Sequence, residues 1–174
     1  MTLQEQAEKI ITDLKLVELL SVFGETHVVG SIAFGTTTKP DIDIQVYAAG
    51  HYENISSDII SKLSEIGLTD IKERRLKKSK KYLITGKLQS EDLVWDIDIT
   101  LTQPDARYIR DSYHFYLDYF PKMTDEKREK IIKFKDEFAD NKVTGDNSAF
   151  YIYIGVLDKD IKSTEAMKEY LKTL

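Results

Sequence analysis

There is no cysteine among the 174 residues, which removes disulfides, thiolate zinc sites and cysteine nucleophiles from consideration. Histidine is almost as scarce. His27, His51 and His114 share no metal-ligand spacing, so core or surface roles are expected of them. No apolar run reaches the roughly 20 residues of a membrane-spanning helix. The polar start, Met1-Thr2-Leu3-Gln4-Glu5, lacks the pattern of a secretory leader. The expectation is a cytoplasmic protein that does not engage a membrane. The three prolines, Pro40, Pro104 and Pro121, punctuate segments, and the chain contains neither a repeat nor a low-complexity linker. Positive charge is in deficit, with a net charge of −5, which makes duplex nucleic acid an unlikely ligand because duplex binding needs a broad basic surface.

What basic charge there is lies close together. Seven of the ten residues from Lys72 to Lys81 are basic and one is acidic, so this stretch carries +6 and the rest of the chain −11. A cationic strip on an acidic body suits a polyphosphate better than a long duplex. With 41% hydrophobic and 32% charged residues, the composition is that of an ordinary globular chain, long enough to bury a core.

Periodicity outlines the elements. Leu3, Ala7, Ile10, Leu14 and Val17 recur at helical steps, predicting one amphipathic helix over residues 3–20. Thr2 and Glu5 form a capping-box pattern at its start. Thr26 to Val29 reads as a short strand ending at Gly30-Ser31, and Ile32 to Pro40 as a loop. From Asp41 to Tyr47 polar and apolar residues alternate, a strand with Ile42, Ile44 and Val46 on its buried face. A second helix is expected over residues 54–66. Tyr82 to Thr85 and Leu93 to Leu101 read as strands paired across Gly86 to Asp92. After Pro104 the pattern turns helical, with an aromatic stripe (Tyr108, Ile109, Tyr113, Tyr116, Leu117, Phe120), then helices around Ile131 to Phe138, Phe150 to Leu157 (apolar nearly all round, with a strand as the alternative) and Met167 to Leu174. The expected class is α+β: a mixed sheet flanked by helices over residues 1–103, and a helical C-terminal part, residues 104–174, packed on that core.

The chemistry is carried by carboxylates. Asp41 and Asp43 stand two apart on a strand, so both side chains leave the same face. Asp98 lies on a later strand with the same alternation and is taken as the third member, with Asp96 competing on the same face. Converging carboxylates suit Mg²⁺, which prefers oxygen ligands. Two such ions can stabilise the attacking and leaving oxygens of a phosphoryl transfer. Gly30 and Ser31 supply a close backbone approach and a hydroxyl for phosphate oxygens. Lys39, beside Pro40, is a candidate phosphate contact.

Val29-Gly30-Ser31, nine residues, then Asp41-Ile42-Asp43-Ile44 resembles the signature of the DNA polymerase β-type nucleotidyltransferase superfamily. More narrowly, Gly30-Ser31 followed by Lys39-Pro40-Asp41-Ile42-Asp43-Ile44, with the Tyr113 to Lys135 stretch, is similar to GrpB-like proteins of that superfamily. Asp41-Ile42-Asp43 and Asp96-Ile97-Asp98 depart from the GrpB pattern, toward the metal-competent superfamily pattern. The resemblance implies a nucleotidyltransferase-like fold, a two-metal Mg²⁺ site at Asp41, Asp43 and Asp98 with Asp96 as a further candidate ligand, and nucleotide contacts from Gly30, Ser31 and Lys39. The expected reaction moves a nucleoside monophosphate from a nucleoside triphosphate such as ATP to a hydroxyl on a small molecule or a protein. The rival reading is a catalytically silent module of the same fold that binds a nucleotide or another phosphorylated ligand.

Overall fold

The computed structural model describes residues 1–48, 52–76, 81–103, 112–138 and 148–174. The elements, in chain order, are α1 (Leu3–Asp13), α2 (Leu16–Ser21), β1 (Glu25–Val29), α3 (Gly30–Phe34), β2 (Asp41–Tyr47), α4 (Tyr52–Glu65), β3 (Thr69–Leu76), β4 (Lys81–Ser90), β5 (Leu93–Thr102), α5 (Ser112–Tyr119), α6 (Asp125–Phe138), α7 (Ser148–Leu157) and α8 (Thr164–Lys172), with a 3₁₀ turn over Phe120–Lys122 between α5 and α6. The class is the expected α+β. One five-stranded sheet runs in the order β1-β2-β5-β4-β3. β2 and β5 are parallel and the other pairs antiparallel.

Alternation sorts the sheet into two faces. Ile42, Ile44 and Val46 of β2 and Trp95, Ile97, Ile99 and Leu101 of β5 are buried in one cluster with Ala7 and Ile10 of α1, Leu16 and Leu20 of α2 and Ile59 and Leu63 of α4. A second cluster joins Phe34 of α3 to Ile131, Phe134 and Phe138 of α6, Ile152 and Val156 of α7, and Met167 and Leu171 of α8. α3 links the two cores, because its Ile32 belongs to the first and its Phe34 to the second.

Three sequence expectations are corrected. The helix over 3–20 is two helices, because Lys15 adopts a left-handed conformation (φ 49°) between α1 and α2. That break turns Leu16 and Leu20 into the sheet instead of continuing one stripe. The capping box at its start does form, with Glu5 N–H donating to Thr2 Oγ1 at 3.2 Å and Thr2 N–H donating to Glu5 Oε2 at 2.7 Å. The loop over 32–40 begins as a helical turn, α3, closed by Gly35 at φ 67°. The β4–β5 hairpin is longer than its apolar runs. β4 continues through Gly86 to Ser90, so only Glu91 and Asp92 form the turn. The helical reading of Phe150 to Leu157 holds as α7. Tyr108 and Ile109 of the aromatic stripe, His51, and Lys77, Lys78 and Lys80 of the basic segment lie outside the described residues.

Candidate functional site

Strand register assembles the carboxylates. Asp43 pairs with Asp98 and Asp41 with Asp96 across the parallel β2–β5 ladder. Registered partners share a face, so all four acids leave the side opposite Ile42 and Ile97. One ligand oxygen each from Asp41, Asp43 and Asp98 lies within 4.8 Å of the others. Asp96 is drawn off: its Oδ1 accepts from Lys87 Nζ at 2.7 Å, on the exposed end of the row. The structure therefore brings together Asp41, Asp43 and Asp98 and leaves Asp96 beside them in an ion pair.

Among the described residues none of those three carboxylates makes a salt bridge. All are partly buried. Burial and the neighbouring charges of Asp98 and Asp96 raise the Asp41 carboxyl to about 6. Burial, then Asp41 and Asp98, raise Asp43 to about 7. Asp98 is also raised, by burial first and Asp96 second. Three crowded, unpaired acids of this kind fit a divalent cation, which would supply the missing charge and take the oxygens as ligands.

Gly30 is fitted to this cluster. It is the first residue of α3, directly after β1, at φ 66°, and a Cβ there would run into the carboxylate of Asp43. Glycine is required twice over, by the left-handed backbone and by the acid behind it. Ser31 follows at the start of α3, and its Oγ accepts from Lys135 Nζ at 2.7 Å. The same ammonium donates to Thr36 O at 2.7 Å.

Lys135 is a functional candidate that the sequence reading missed. It belongs to α6 and is only 9% exposed. Burial lowers its ammonium to about 8, opposed by the charges of Asp43 and Asp41. It remains a cation at neutral pH, facing the acid cluster. The signal was present: Ile131, Lys135 and Phe138 stand four and three residues apart, so a lysine occupies an apolar-stripe position. Thr36 and Tyr153 complete the setting. Their hydroxyls are hydrogen-bonded in the interior, and burial pushes the Tyr153 phenol up to about 12. Thr36 N–H closes the loop onto Ser31 O at 2.9 Å. From the other side, Arg128 Nε of α6 donates to Phe34 O at 3.2 Å. Thus α3 and the turn after it are held by side chains of α6 and α7.

The remaining expected residues are placed as follows. Lys39 is exposed in the turn before β2, where its charge helps oppose the upward shift at Asp41. His27 stacks on Tyr113, with ring centroids 3.4 Å apart and planes at 8°. His114 Nδ1 lies 3.1 Å from Tyr47 Oη. Tyr116 packs on Phe34 at 5.3 Å between centroids. Gln45 continues the Asp41-Asp43 face but is buried, because α5 covers it and Tyr113 N–H donates to Gln45 Oε1 at 3.2 Å. The acid face of β2 is thus closed at one end and open at the other, where the carboxylates lie.

No family model matches the chain, and no curated protein matches it. Solved structures do. The Cid1 poly(U) polymerase with MgGTP bound superposes with a TM-score of 0.62 at 14% identity, over 89% of this chain and 49% of that one. The non-canonical poly(A) polymerase GLD-2, in its complex with GLD-3, gives 0.60 at 16% identity, over 88% and 51%. A cytoplasmic RNA terminal U-transferase gives 0.58 at 16% identity, over 88% and 47%. The fold is therefore that of the polymerase-type nucleotidyltransferases, and this chain spans about half the length of those enzymes. Among the described residues no helix is long and apolar enough to cross a membrane.

Proposed function

We propose that this chain is a Mg²⁺-dependent nucleotidyltransferase that moves a nucleoside monophosphate from a nucleoside triphosphate to an acceptor hydroxyl. The observation that carries the reading is the meeting of three unpaired carboxylates within 4.8 Å of one another, beside a buried lysine bonded to Ser31. Nucleotidyl transfer needs positioning and charge neutralisation more than covalent help from the protein, and this arrangement offers both signs of charge at one point.

In this reading Asp41, Asp43 and Asp98 hold Mg²⁺, which when bound neutralises the triphosphate and the developing charge. Gly30 and Ser31 receive the β- and γ-phosphates. Lys135 supplies a buried cation for the same phosphates, and Lys39 a second one at the rim. Asp98 stands at the open side of the cluster, where an acceptor enters, and takes up the hydroxyl proton. The acceptor oxygen bonds to the α-phosphorus, the bond from that phosphorus to the bridging oxygen breaks, and pyrophosphate leaves. Residues 1–103 form the catalytic core, and the helices after residue 104 close it. The GrpB-like resemblance belongs to this reading through the Gly30-Ser31 and Lys39-Pro40 motifs.

The test is thermal melting with Mg²⁺ and each nucleoside triphosphate, followed by transfer from α-labelled nucleotide. A ligand at about 100 times its dissociation constant adds about 2.7 kcal/mol, or a rise of the order of 5–10 °C at this size. Asp43→Asn should abolish both the rise and the transfer. Transfer that survives Asp43→Asn would falsify the assignment. A rise without transfer to any acceptor would instead identify a silent nucleotide-binding module.

A further inference from the structure

The basic segment that stands out in the sequence has a definite position in the sheet. β3 is the edge strand beyond β4, and among the described residues no strand lies outside it. Its start is irregular: the register shifts between Thr69 and Lys72, and Asp70 sits at φ 50°. From Lys72 to Leu76 the pairing with β4 is unbroken. In an antiparallel pair alternate residues turn their N–H and C=O away from the partner strand. The regular half of β3 thus presents backbone donors and acceptors along its outer side.

Its side chains are sorted by face. Lys72 pairs with Thr85 and Arg74 with Leu83, and these rows continue to Asp98 and Thr100 of β5. Registered residues share a face, so Lys72 and Arg74 stand on the side away from α4. There the charges add, and Lys81 of β4 joins them by alternation with Leu83 and Thr85. On the helix-backed side Glu73 and Arg75 oppose each other. Lys72 and Arg74 are exposed, and among the described residues neither takes part in a hydrogen bond or salt bridge. Strands lie about 4.8 Å apart, so Lys72 stands about 10 Å from Asp98, and the cation that bears on Asp98 is Lys87.

Edge strands carry bulges and lysines to discourage pairing with other chains. The irregular start of β3 acts in that way. The charges of the regular half act more selectively. A second copy pairing through β3 would set Lys72 and Arg74 against the same two residues, and like charges directly opposite are unfavourable. A strand with carboxylates at alternate positions turns that repulsion into attraction. The edge is closed to its own kind and complementary to an acidic strand, which is how specificity is obtained from charge.

We propose that the outer edge of β3, from Lys72 to Leu76, takes an extended acidic segment of a partner protein as a sixth strand of the sheet. Alternate residues of a strand lie about 6.8 Å apart. Two carboxylates in an acid-x-acid run therefore fall directly across from Lys72 and Arg74. The residue between them faces the opposed charges of Glu73 and Arg75, where a neutral side chain fits. Strand addition draws its affinity from main-chain hydrogen bonds and its specificity from alternate side chains, and β3 supplies both. A polynucleotide meets the cations but does not pair with the strand's backbone. The described residues of this face on β3, β4 and β5 include no aromatic side chain on which its bases would stack. The edge binds such a segment whether or not the carboxylate site turns over a nucleotide.

The probe is a fluorescein-labelled peptide of about eight residues that alternates Glu and Thr, titrated against the full chain by anisotropy. A second peptide has the same sequence with an N-methylated backbone, which keeps the charge and removes the N–H donors. The variant is Lys72→Gln/Arg74→Gln. The control is Lys133→Gln/Lys168→Gln, which makes the same change in net charge at exposed positions on α6 and α8. The alternating peptide should bind the wild type and the control alike, and the β3 variant about tenfold more weakly. The methylated peptide should not bind. Hydrogen exchange should slow in β3 when the alternating peptide is present. A methylated peptide that binds as tightly as its parent overturns strand addition, as does equal weakening in both variants or no binding of the alternating peptide. Labelled oligo(U) that binds more tightly than the peptide and is weakened by the same variant would assign the face to nucleic acid and overturn the proposal. A wild-type dimer in sedimentation that the β3 variant alone dissociates would assign the edge to a second copy and do the same.

Discussion

Asp43 is the residue on which stability and the proposed metal binding meet. Its carboxyl is raised by burial and by Asp41 and Asp98 to about 7 in the folded chain, from 3.8. Between those values the native state keeps a proton that the unfolded state has released, so stability falls as pH rises. The contribution is complete below the unfolded value and gone above the folded one. Asp43→Asn cannot titrate. The stability of the wild type relative to Asp43→Asn should therefore decline by of the order of 2 kcal/mol between about pH 4 and pH 8, in urea titrations without divalent ions. A difference that stays level or grows with pH would remove the buried-acid account. Magnesium should reverse the trend, because a bound ion needs ionised ligands and competes with protons. Its stabilising effect on the wild type should grow over the same range. Gly30 gives a second test at this scale. In Gly30→Ala the methyl meets Asp43 on a left-handed backbone, a cost of roughly 1–3 kcal/mol. Melting should show that loss together with a lost Mg²⁺ response; an unchanged Mg²⁺ response would mean that Gly30 does not shape the cluster.

Among the described residues helix α6 supplies the one buried cation at the site, and its contribution is separable from the sheet. Methionine keeps the length and apolar stem of Lys135 and removes the charge. Removing one member of a buried polar network leaves its partners unsatisfied, here Ser31 Oγ and Thr36 O, so Lys135→Met should lose roughly 1–3 kcal/mol of stability without ligand. Its affinity for Mg²⁺–nucleoside triphosphate should fall at least about tenfold, equivalent to about 1.4 kcal/mol, measured by calorimetry. Undiminished affinity would take Lys135 out of the site. This element also shows what was legible beforehand. The acid strands were, because a period of two on β2 and β5 fixes both the buried isoleucines and the outward aspartates. The choice between Asp96 and Asp98 turned on Lys87, whose ion pair is set by β4–β5 register, and register is not local. Lys135 lies 104 residues from Ser31, a separation that no periodicity bridges. The break at Lys15 went unseen because Leu14 and Val17 continue the helical spacing across it.

At the scale of the molecule, the site lies where two cores meet. The sheet core can hold the acids in place alone, since Ile42, Ile97 and Ile99 anchor both strands against α1, α2 and α4. The turn from Gly30 to Thr36 cannot be held that way. Phe34 is buried against α6, α7 and α8, Arg128 holds its carbonyl, and Lys135 and Tyr153 hold Ser31 and Thr36. A fragment ending at residue 103 would keep Asp41, Asp43 and Asp98 while exposing Phe34 and freeing the Gly30 to Thr36 turn. The two halves of the site should then part company. The fragment should still be stabilised by Mg²⁺ alone, while the additional stabilisation by nucleoside triphosphate disappears, both read by melting beside the full chain. If the fragment responds to the nucleotide as the full chain does, the helices after residue 104 are no part of the site and the sheet with α3 binds unaided. If it has no cooperative transition at all, Phe34→Ala in the full chain asks the same question. That variant keeps every acid, Lys135 and Ser31, and should lose nucleotide affinity more than Mg²⁺ response, because the position of α3 is what the second core provides.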